Sequence, residues 1–377
     1  MPPIRVLVVD DSVVIRRLVT SLLSEDPDIE VVGTAINGRA ALQKIESLAP
    51  DLVTMDIEMP GMDGIEAVRA IRAGGNRLPI IMFSTLTERG ATATFDALAA
   101  GASDYVPKPA NVGSVSRSME QVRDALIPLI KSLAPPRLTA ARATAPSAAG
   151  TPAATSAPTP AQAVVAPPVT RDRRMPATGY RLLAVGSSTG GPEALFTVLT
   201  SLPPLPVPVV VVQHMPPVFT TQFAARLDRH CQFPVREATD GAVLAPGAVT
   251  IAPGDHHLVV ERAGRDLVAR LNQQPPENYC RPAVDVLFRS AARAAGGPVL
   301  GLVLTGMGAD GAKGAQHLVD AGGSVIAQDR ATSVVWGMPG AVAAAGLAEQ
   351  LLPLGQVAAE VRRRVTSHQD DTRGGEA

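Results

Sequence analysis

The chain has 377 residues, more than one compact domain usually holds, and a net charge of −1 from 34 basic and 35 acidic residues. The balanced charge and the 3% aromatic content argue against a protein that binds nucleic acid or a membrane surface through bulk charge or base stacking. Two cysteines, Cys231 and Cys280, are too few for a disulfide framework, and no apolar run is long enough to cross a bilayer, so we expect a reducing, cytoplasmic setting.

From residue 4 to residue 131, short apolar segments alternate with segments whose apolar residues recur at helical spacing. The strand candidates are Ile4–Val9, Val31–Ala35, Leu52–Met55, Pro79–Phe83 and Ser103–Val106. The helix candidates are Val13–Ser24, Arg39–Leu48, Gly64–Arg72, Ala91–Ala100 and Ser114–Lys131. Five such units predict an α/β domain over residues 3–131, a flavodoxin-like (βα)5 parallel sheet with helices on both faces.

Three acidic residues come at the carboxyl ends of these strands, where parallel sheets bind their ligands. Asp10 and Asp11 follow the first strand and Asp56 follows the third, while Ser84 and Lys108 follow the fourth and fifth. Crowded carboxylates repel unless a cation joins them, and Mg²⁺ prefers such oxygen ligands. Asp56 is then the candidate nucleophile for an acyl phosphate, with Lys108 and Ser84 holding phosphoryl oxygens. The alternative is that Asp10 and Asp11 only cap the first helix.

The joint pattern is more specific than any of its members. It consists of Asp10-Asp11, the run from Met55 to Gly64, Ser84, Gly101-Ala102, Tyr105 and Lys108-Pro109. With these residues the region resembles the receiver domain of bacterial response regulators. The resemblance implies that Asp56 accepts a phosphoryl group from a sensor histidine kinase of the CheA type. It also implies that Mg²⁺ is held by Asp10, Asp11, Asp56 and the Glu58 carbonyl, and that the switch residues are Ser84, Tyr105 and Lys108.

Residues 134–170 break the alternation, because 29 of these 37 residues are alanine, proline, serine or threonine. Prolines recur too often there for a helix, and large apolar side chains are too few for a core. We therefore predict an extended linker over residues 132–179 between two domains.

After the linker the alternation resumes, over residues 180–368. The strand candidates are Arg181–Val185, Val207–Gln213, Val249–Ala252, Leu258–Glu261, Leu267–Leu271, Val299–Thr305 and Val325–Gln328. The helix candidates are Gly191–Leu199, Thr220–Arg229, Ala283–Ala294 and Ala312–Ala321. This order predicts a second α/β domain, doubly wound and mostly parallel, with an antiparallel portion in the middle.

The first strand of this second domain leads into a glycine-rich turn, 186–191, with Ser188 at its centre, and then into a helix. Small residues let the backbone turn sharply and present a hydroxyl at a helix amino terminus, where free N–H groups favour a developing negative charge. A phosphate-binding loop is the alternative. The turn lacks the lysine of a P-loop and the Gly-x-Gly-x-x-Gly of a dinucleotide fold.

A serine nucleophile needs a base and a carboxylate that orients it. Of the six histidines, His214 is favoured because it directly follows an apolar strand. Asp310 lies in a glycine-rich turn after the strand 299–305, a position that equally suits the N-cap of the next helix. The chain order is Ser188, His214, Asp310, whereas common α/β-hydrolases run serine, acid, histidine. The sequence therefore predicts a catalytic triad of this type, but not the common α/β-hydrolase fold.

Further stretches complete the pattern: Gln213-His214-Met215-Pro216, 251–255, 281–288, 304–311 and Gly337-Met338-Pro339. With the turn 186–191, the region from Arg181 to Val365 resembles the catalytic domain of the CheB family of chemotaxis protein-glutamate methylesterases. The resemblance implies a catalytic triad of Ser188, His214 and Asp310, and an oxyanion hole that includes the Met307 backbone N–H. Ser187 and Cys280 stand where relatives often have alanine and histidine, and no second nucleophile is expected.

The resemblance implies a cytoplasmic, monomeric hydrolase that removes methyl groups from glutamate γ-methyl esters of chemoreceptors, releases methanol and deamidates certain receptor glutamines. It implies Mg²⁺ for the receiver but no cofactor for esterase catalysis, no nucleic-acid partner and no direct membrane insertion. Two other functions stay open: an adaptor whose hydrolase domain has lost activity, and a transcription factor. The intact triad set argues against the first, and the near-neutral charge without a helix-turn-helix pattern argues against the second.

Overall fold

The computed structural model describes residues 2–108, 115–134 and 179–367. Most of the linker expected over residues 132–179, and the end of the second domain expected at residue 368, lie outside the described residues. The expected α/β class is confirmed, with one parallel sheet before the linker region and a larger parallel sheet after it. Within the described ranges, none of the helices has the length and hydropathy that a membrane crossing requires.

The N-terminal half alternates strands and helices as expected. Its elements are β1 (Ile4–Val9), α1 (Val13–Ser24), β2 (Ile29–Ala35), α2 (Gly38–Leu48), β3 (Leu52–Asp56), α3 (Gly64–Ala73), β4 (Ile80–Ser84), α4 (Glu88–Ala99), β5 (Asp104–Pro107) and α5 (Val115–Leu133). The sheet order is β2-β1-β3-β4-β5. Helix α4 begins three residues earlier than expected, because the Thr87 hydroxyl accepts a hydrogen bond from the backbone N–H of Gly90 and caps it.

The C-terminal half has more elements than the sequence predicted. They are β6 (Leu182–Ser187), α6 (Gly191–Thr200), β7 (Val209–Gln213), α7 (Pro217–His230), β8 (Val235–Glu237), β9 (Val249–Ile251), β10 (His257–Ala263), β11 (Asp266–Asn272), α8 (Val284–Ala294), β12 (Val299–Val303), α9 (Ala312–Asp320), β13 (Ser324–Gln328), α10 (Met338–Ala344), β14 (Ala348–Leu352) and α11 (Leu354–Thr366). Helix α7 starts at Pro217 rather than Thr220, because the fixed φ of proline suits the first turn of a helix.

The larger sheet has the order β14-β13-β12-β6-β7-β9-β8, and every pairing in it is parallel. The expected antiparallel portion is the hairpin of β10 and β11 alone. Strand β9, which covers part of the candidate 249–252, instead joins the main sheet beside β7. The strands β12, β6 and β7 occupy the middle of the sheet, so the turns that follow them share one edge.

The two halves pack against each other through aromatic side chains of α4 and α7. The ring of Phe95 lies 6.2 Å from that of Phe219 and 5.4 Å from that of Phe223. The guanidinium of Arg226 lies 5.6 Å from the centre of the Phe95 ring, a distance typical of a cation–π contact. Buried apolar residues of both halves therefore form one continuous cluster.

Candidate active site

The central strands of the larger sheet carry the three predicted triad residues at one edge. Strand β6 pairs in parallel with β12 on one side and with β7 on the other. Ser188 directly follows β6, His214 directly follows β7, and Asp310 lies in the turn between β12 and α9. The structure thus brings together three residues that are far apart in the sequence.

Ser187 and Ser188 have different surroundings although they are neighbours. The Ser187 side chain is fully buried, and its hydroxyl donates a 2.6 Å hydrogen bond to Oε1 of Gln213. Nε2 of Gln213 donates in turn to the backbone oxygen of Ser188 at 2.9 Å. The Ser188 hydroxyl makes no hydrogen bond within the described part of the chain and lines a cavity. Ser187 therefore supports the turn, whereas Ser188 presents a free hydroxyl.

The glycines after Ser188 permit this sharp turn. Gly190 has a φ of 71° and stands at the N-cap of α6, a backbone conformation that other residues rarely adopt. A Cβ atom at Gly191 would lie 2.0 Å from Oε1 of Gln213, the oxygen that receives the Ser187 hydrogen bond. Both positions therefore require glycine for the hydroxyl of Ser188 to stand at the start of the helix.

The Asp310 carboxylate is buried and accepts hydrogen bonds from five donors. Nε2 of His214 lies 2.9 Å from Oδ2, and Nδ2 of Asn278 lies 2.8 Å from Oδ1. The other three donors are the backbone N–H groups of Val284, Asp285 and Gly311. Burial raises the pKa of Asp310, but these hydrogen bonds and the charge of His214 outweigh burial and leave the pKa below its usual value.

The alternative that Asp310 caps its own following helix is wrong. Gly311, not Asp310, stands at the N-cap of α9, and in the residues described Asp310 accepts from the Gly311 N–H but from no N–H group within α9. Asp310 instead receives the free N–H groups at the start of α8, which begins at Val284. A helix amino terminus favours a negative charge, so α8 stabilises the ionised carboxylate that faces His214.

The second ring nitrogen of His214 faces a thiol. Nδ1 lies 3.4 Å from Sγ of Cys280, and no hydrogen bond joins the Ser188 hydroxyl to the ring in the residues described. Burial lowers the pKa of His214, but the hydrogen bonds to Asp310 and Cys280 and the charges of both groups outweigh burial and raise the pKa to about 9. A raised pKa favours the protonated ring, and the ring must lose that proton before it can accept one.

Three neighbours of His214 and Asp310 come from the region after β11 and were not predicted from the sequence. Cys280 was not expected to contact His214, and Asn278 and Asp285 were not singled out at all. An asparagine next to a bulky residue in a loop gives no functional signal by itself. The signal that could have pointed to Asp285 was its place in the stretch 281–288, which resembles a family motif.

The N-terminal half covers the candidate site. A cavity of about 230 Å³ is lined in the C-terminal half by Ser188, Thr189, Gln213, His214, Pro216 and Met307, and in the N-terminal half by Asp104, Tyr105, Val106, Pro107, Ala125 and Leu129. Burial raises the pKa of Asp104 to about 7, although hydrogen bonds from the Tyr105 backbone and from Thr189 act in the opposite direction. The receiver thus forms one wall of the space in front of Ser188.

The predicted acidic residues of the receiver also meet. Carboxylate oxygens of Asp10, Asp11 and Asp56 lie within 4.8 Å of one another. Nζ of Lys108 lies 2.7 Å from Asp56 and 3.2 Å from Asp10. Three carboxylates at this spacing are the oxygen donors that a hard divalent cation such as Mg²⁺ prefers. The alternative that Asp10 and Asp11 only cap α1 is wrong, because Ser12 is the N-cap and accepts from Ile15.

The remaining predicted receiver residues lie around this cluster. The Glu58 backbone N–H donates to Oδ1 of Asp56 at 3.3 Å. The Ser84 hydroxyl donates to the Gly90 oxygen at 3.0 Å and accepts from Thr94 at 2.7 Å. Burial raises the pKa of Asp56 to about 6, with the charge of Asp10 adding to the effect and Lys108 opposing it. Tyr105 lies away from the cluster, in the contact with α7.

Both halves of the chain are similar in sequence to known proteins. Residues 183–361 match the family model of the CheB methylesterase, and residues 6–119 match that of the response regulator receiver domain. A protein-glutamate methylesterase/protein-glutamine glutaminase of a Nocardioides species is 67% identical over 97% of this chain and 96% of its own length. The relative with the same name from Trichodesmium erythraeum is 47% identical over 97% of this chain and 100% of its own length. The crystal structure of the Thermotoga maritima CheB methylesterase catalytic domain is 42% identical, with a TM-score of 0.48, and its match covers 49% of this chain and 98% of that one.

Proposed function

This chain belongs to the CheB methylesterase family, with a receiver domain ahead of the esterase domain, and we propose that it demethylates chemoreceptors under the control of phosphorylation. The reaction is hydrolysis of glutamate γ-methyl esters to glutamate and methanol. The same chemistry deamidates specific receptor glutamines, because both reactions pass through a glutamyl-enzyme intermediate. The observation that carries the proposal is the 2.9 Å contact of His214 with Asp310 beside the free hydroxyl of Ser188.

In the proposed mechanism Ser188 attacks the γ-carbonyl carbon of the substrate side chain. Asp310 holds Nε2 of His214, which leaves Nδ1 to accept the Ser188 proton. In this structure the Cys280 thiol contacts Nδ1. The Ser188 hydroxyl must therefore replace the thiol as the partner of Nδ1 before attack. His214 then gives the proton to the departing methoxide and later removes a proton from the water that hydrolyses the acyl enzyme.

We assign stabilisation of the developing oxyanion to the backbone N–H groups at the start of α6 and at Met307. Met307 lines the same cavity as Ser188, and its backbone N–H has no protein acceptor within the described residues. Preorganised donors of this kind stabilise a charge that appears only in the transition state. The proposed acyl transfer uses these protein groups and no cofactor.

We assign the site of phosphorylation to Asp56. We assign the binding of Mg²⁺ to Asp10, Asp11, Asp56 and the Glu58 carbonyl. When bound, Mg²⁺ supplies positive charge that offsets the charge of the phosphoryl group. Lys108, which contacts Asp56 and Asp10 in this structure, is placed to bind a phosphoryl oxygen. We assign Ser84 to a second oxygen, which requires it to leave Gly90 and Thr94.

The proposal divides the chain into a receiver (3–131), a linker (132–179) and an esterase domain (180–368). The unphosphorylated receiver blocks a large helical receptor from Ser188, because it walls the cavity in front of that residue. The partners are methylated chemoreceptors as substrate and a CheA-type histidine kinase as phosphodonor, and we expect a monomer that acts in the cytoplasm. Both cysteines are free, as a reducing compartment requires.

The test is methanol release from a methylated chemoreceptor by the full chain, with and without a small phosphodonor and Mg²⁺. We expect slow release that rises with the phosphodonor. A full chain that is folded, is phosphorylated at Asp56 and still releases no methanol would leave only the adaptor function. The matched control is Ser188→Ala, which should be phosphorylated normally and release none.

A further inference from the structure

The segment between β11 and α8 contains a tight turn beside the catalytic pair. Two backbone hydrogen bonds close it, from Glu277 N to Cys280 O at 3.1 Å and from Cys280 N to Glu277 O at 2.9 Å. The two central residues, Asn278 and Tyr279, have φ values of 53° and 64°, as in a type I′ turn. Glu277 is fixed in turn by two hydrogen bonds from the guanidinium of Arg289 on α8, at 3.0 and 2.7 Å.

The two central side chains of this turn differ in their hydrogen bonds. Tyr279 is fully exposed. Asn278 is also exposed as a residue, but its amide nitrogen donates to Oδ2 of Asp285 and to Oδ1 of Asp310, each at 2.8 Å. Both protons of the amide nitrogen are thus used, and both acceptors belong to carboxyl groups.

These two carboxyl groups are buried and repel each other. Asp285 is 1% exposed and Asp310 is 2% exposed. The pKa of Asp285 is raised, chiefly by burial and further by the charge of Asp310. A neutral double donor between the two groups relieves this repulsion without adding a charge, and it fixes the rotation of the Asp310 carboxylate whose other oxygen faces His214.

We propose that Asn278 is a positioning residue for the esterase reaction, which holds the Asp310 carboxylate ionised and aimed at Nε2 of His214. This inference rests on the proposed function, since it assigns a role within that reaction. Asn278 does not touch the reacting atoms. It acts through Asp310, because it donates to Oδ1 while His214 contacts Oδ2.

A purely structural role is the alternative, because asparagine is also favoured at positive φ in a type I′ turn. Two substitutions separate the roles. Asn278→Gly keeps a residue that adopts positive φ readily and removes the amide. Asn278→Asp keeps the shape and the turn preference and replaces the double donor by an acceptor. The matched control is Tyr279→Gly, which makes the same change at the next position and leaves the amide in place.

The experiment measures methanol release by the full chain with phosphodonor, as a function of substrate concentration and pH, for all four proteins. We expect kcat to fall about ten-fold or more in Asn278→Gly with KM unchanged, and further in Asn278→Asp. We also expect Asn278→Asp to move the acidic limb of the pH profile to higher pH, because an added negative charge favours the imidazolium of His214. Tyr279→Gly should keep the wild-type kcat and pH profile.

Nuclear magnetic resonance titration of the His214 ring supplies a readout that needs no turnover. An upward shift of its midpoint in Asn278→Asp, absent in Tyr279→Gly, supports the coupling of position 278 to His214 through Asp310, whether or not the wild-type chain proves to have esterase activity. A wild-type chain without turnover overturns the proposed function. An active wild type whose kcat is matched by Asn278→Gly, with no shift of the ring titration in Asn278→Asp, overturns the role of Asn278 alone.

Discussion

The ring of Tyr105 in the receiver stacks on the ring of Phe219 in α7, with centroids 4.6 Å apart and planes inclined by 7°. Phe219 is fully buried and lies within the first turn of the helix that follows His214. The residue expected to report phosphorylation is thus part of the contact that covers the candidate active site. Any rotation of the Tyr105 ring must disturb this stack, so if Tyr105 moves on phosphorylation as proposed, that movement reaches the interface.

The two neighbouring serines should behave differently on substitution. Ser188→Ala should lower turnover by about 10⁶-fold, as for other triad nucleophiles. Ser187→Ala should keep most of the turnover but lower the melting temperature, because it leaves the buried Oε1 of Gln213 without its donor. Methanol release and thermal unfolding of both variants are the measurements. Equal losses of turnover at the two serines would remove the assignment of Ser188.

Asp310→Asn should lower turnover by about 10⁴-fold. Asp310 receives five donors on its two oxygens, so an amide group there must face at least one donor with its own N–H. We therefore expect a loss of thermal stability as well, unlike a simple N-cap, where asparagine replaces aspartate at little cost. A variant with wild-type turnover and melting temperature contradicts both the catalytic and the α8-capping role.

Asp56→Asn should abolish phosphorylation by a small phosphodonor in the presence of Mg²⁺ and leave basal hydrolysis unchanged. The substitution removes both the nucleophile and a metal ligand. Acid-stable label that persists on Asp56→Asn would indicate a phosphorylated serine or threonine instead.

Much of the fold followed from the sequence because strands buried on both faces are continuous apolar runs. Strand β1 spans the predicted residues Ile4–Val9, and all five βα units are present. The elements after Gln328 were not predicted, because β14 has two polar residues among its five and α11 follows it after a single proline. Strand β8 has only three residues, too few to show a period.

The sequence also predicted which strand ends carry the site, but not what surrounds it. Ser188 and His214 directly follow apolar strands, so the edge of a parallel sheet brings them together. The contact of Cys280 with His214 depends on the tight turn between β11 and α8, which long-range packing places beside the ring, and no periodicity encodes it. The same holds for the five donors of Asp310, three of which are backbone groups that any residue would supply.

The unphosphorylated enzyme should gain activity as the pH rises through about 9. The pKa of His214 is raised to that value in this structure, and the ring must lose its proton before it accepts one from Ser188. Cys280→Ala removes one of the groups that raise this pKa, so the rise should occur at lower pH in that variant. The pH profile of kcat/KM reports the free enzyme and is the measurement. The prediction fails if the profiles of Cys280→Ala and the wild type coincide.

The last prediction concerns the receiver as a cover of the active site. Tyr105 and Phe95 pack on α7, and the receiver walls the cavity that contains Ser188. The esterase domain has its own seven-stranded sheet, so a fragment that starts near Arg171 should fold without the receiver.

We expect this fragment to release methanol from methylated receptor roughly 5–150-fold faster than the unphosphorylated full chain. This range of rates corresponds to coupling free energies of about 1–3 kcal/mol. Its rate should not respond to phosphodonor. Asp56→Asn in the full chain is the control, since it should keep the low basal rate with phosphodonor present. A fragment no faster than the unphosphorylated full chain contradicts a cover that blocks by bulk, because removal of a block must expose Ser188. That result would instead mean that the phosphorylated receiver assembles the site, for example by moving Ser188 toward the ring nitrogen that Cys280 now occupies.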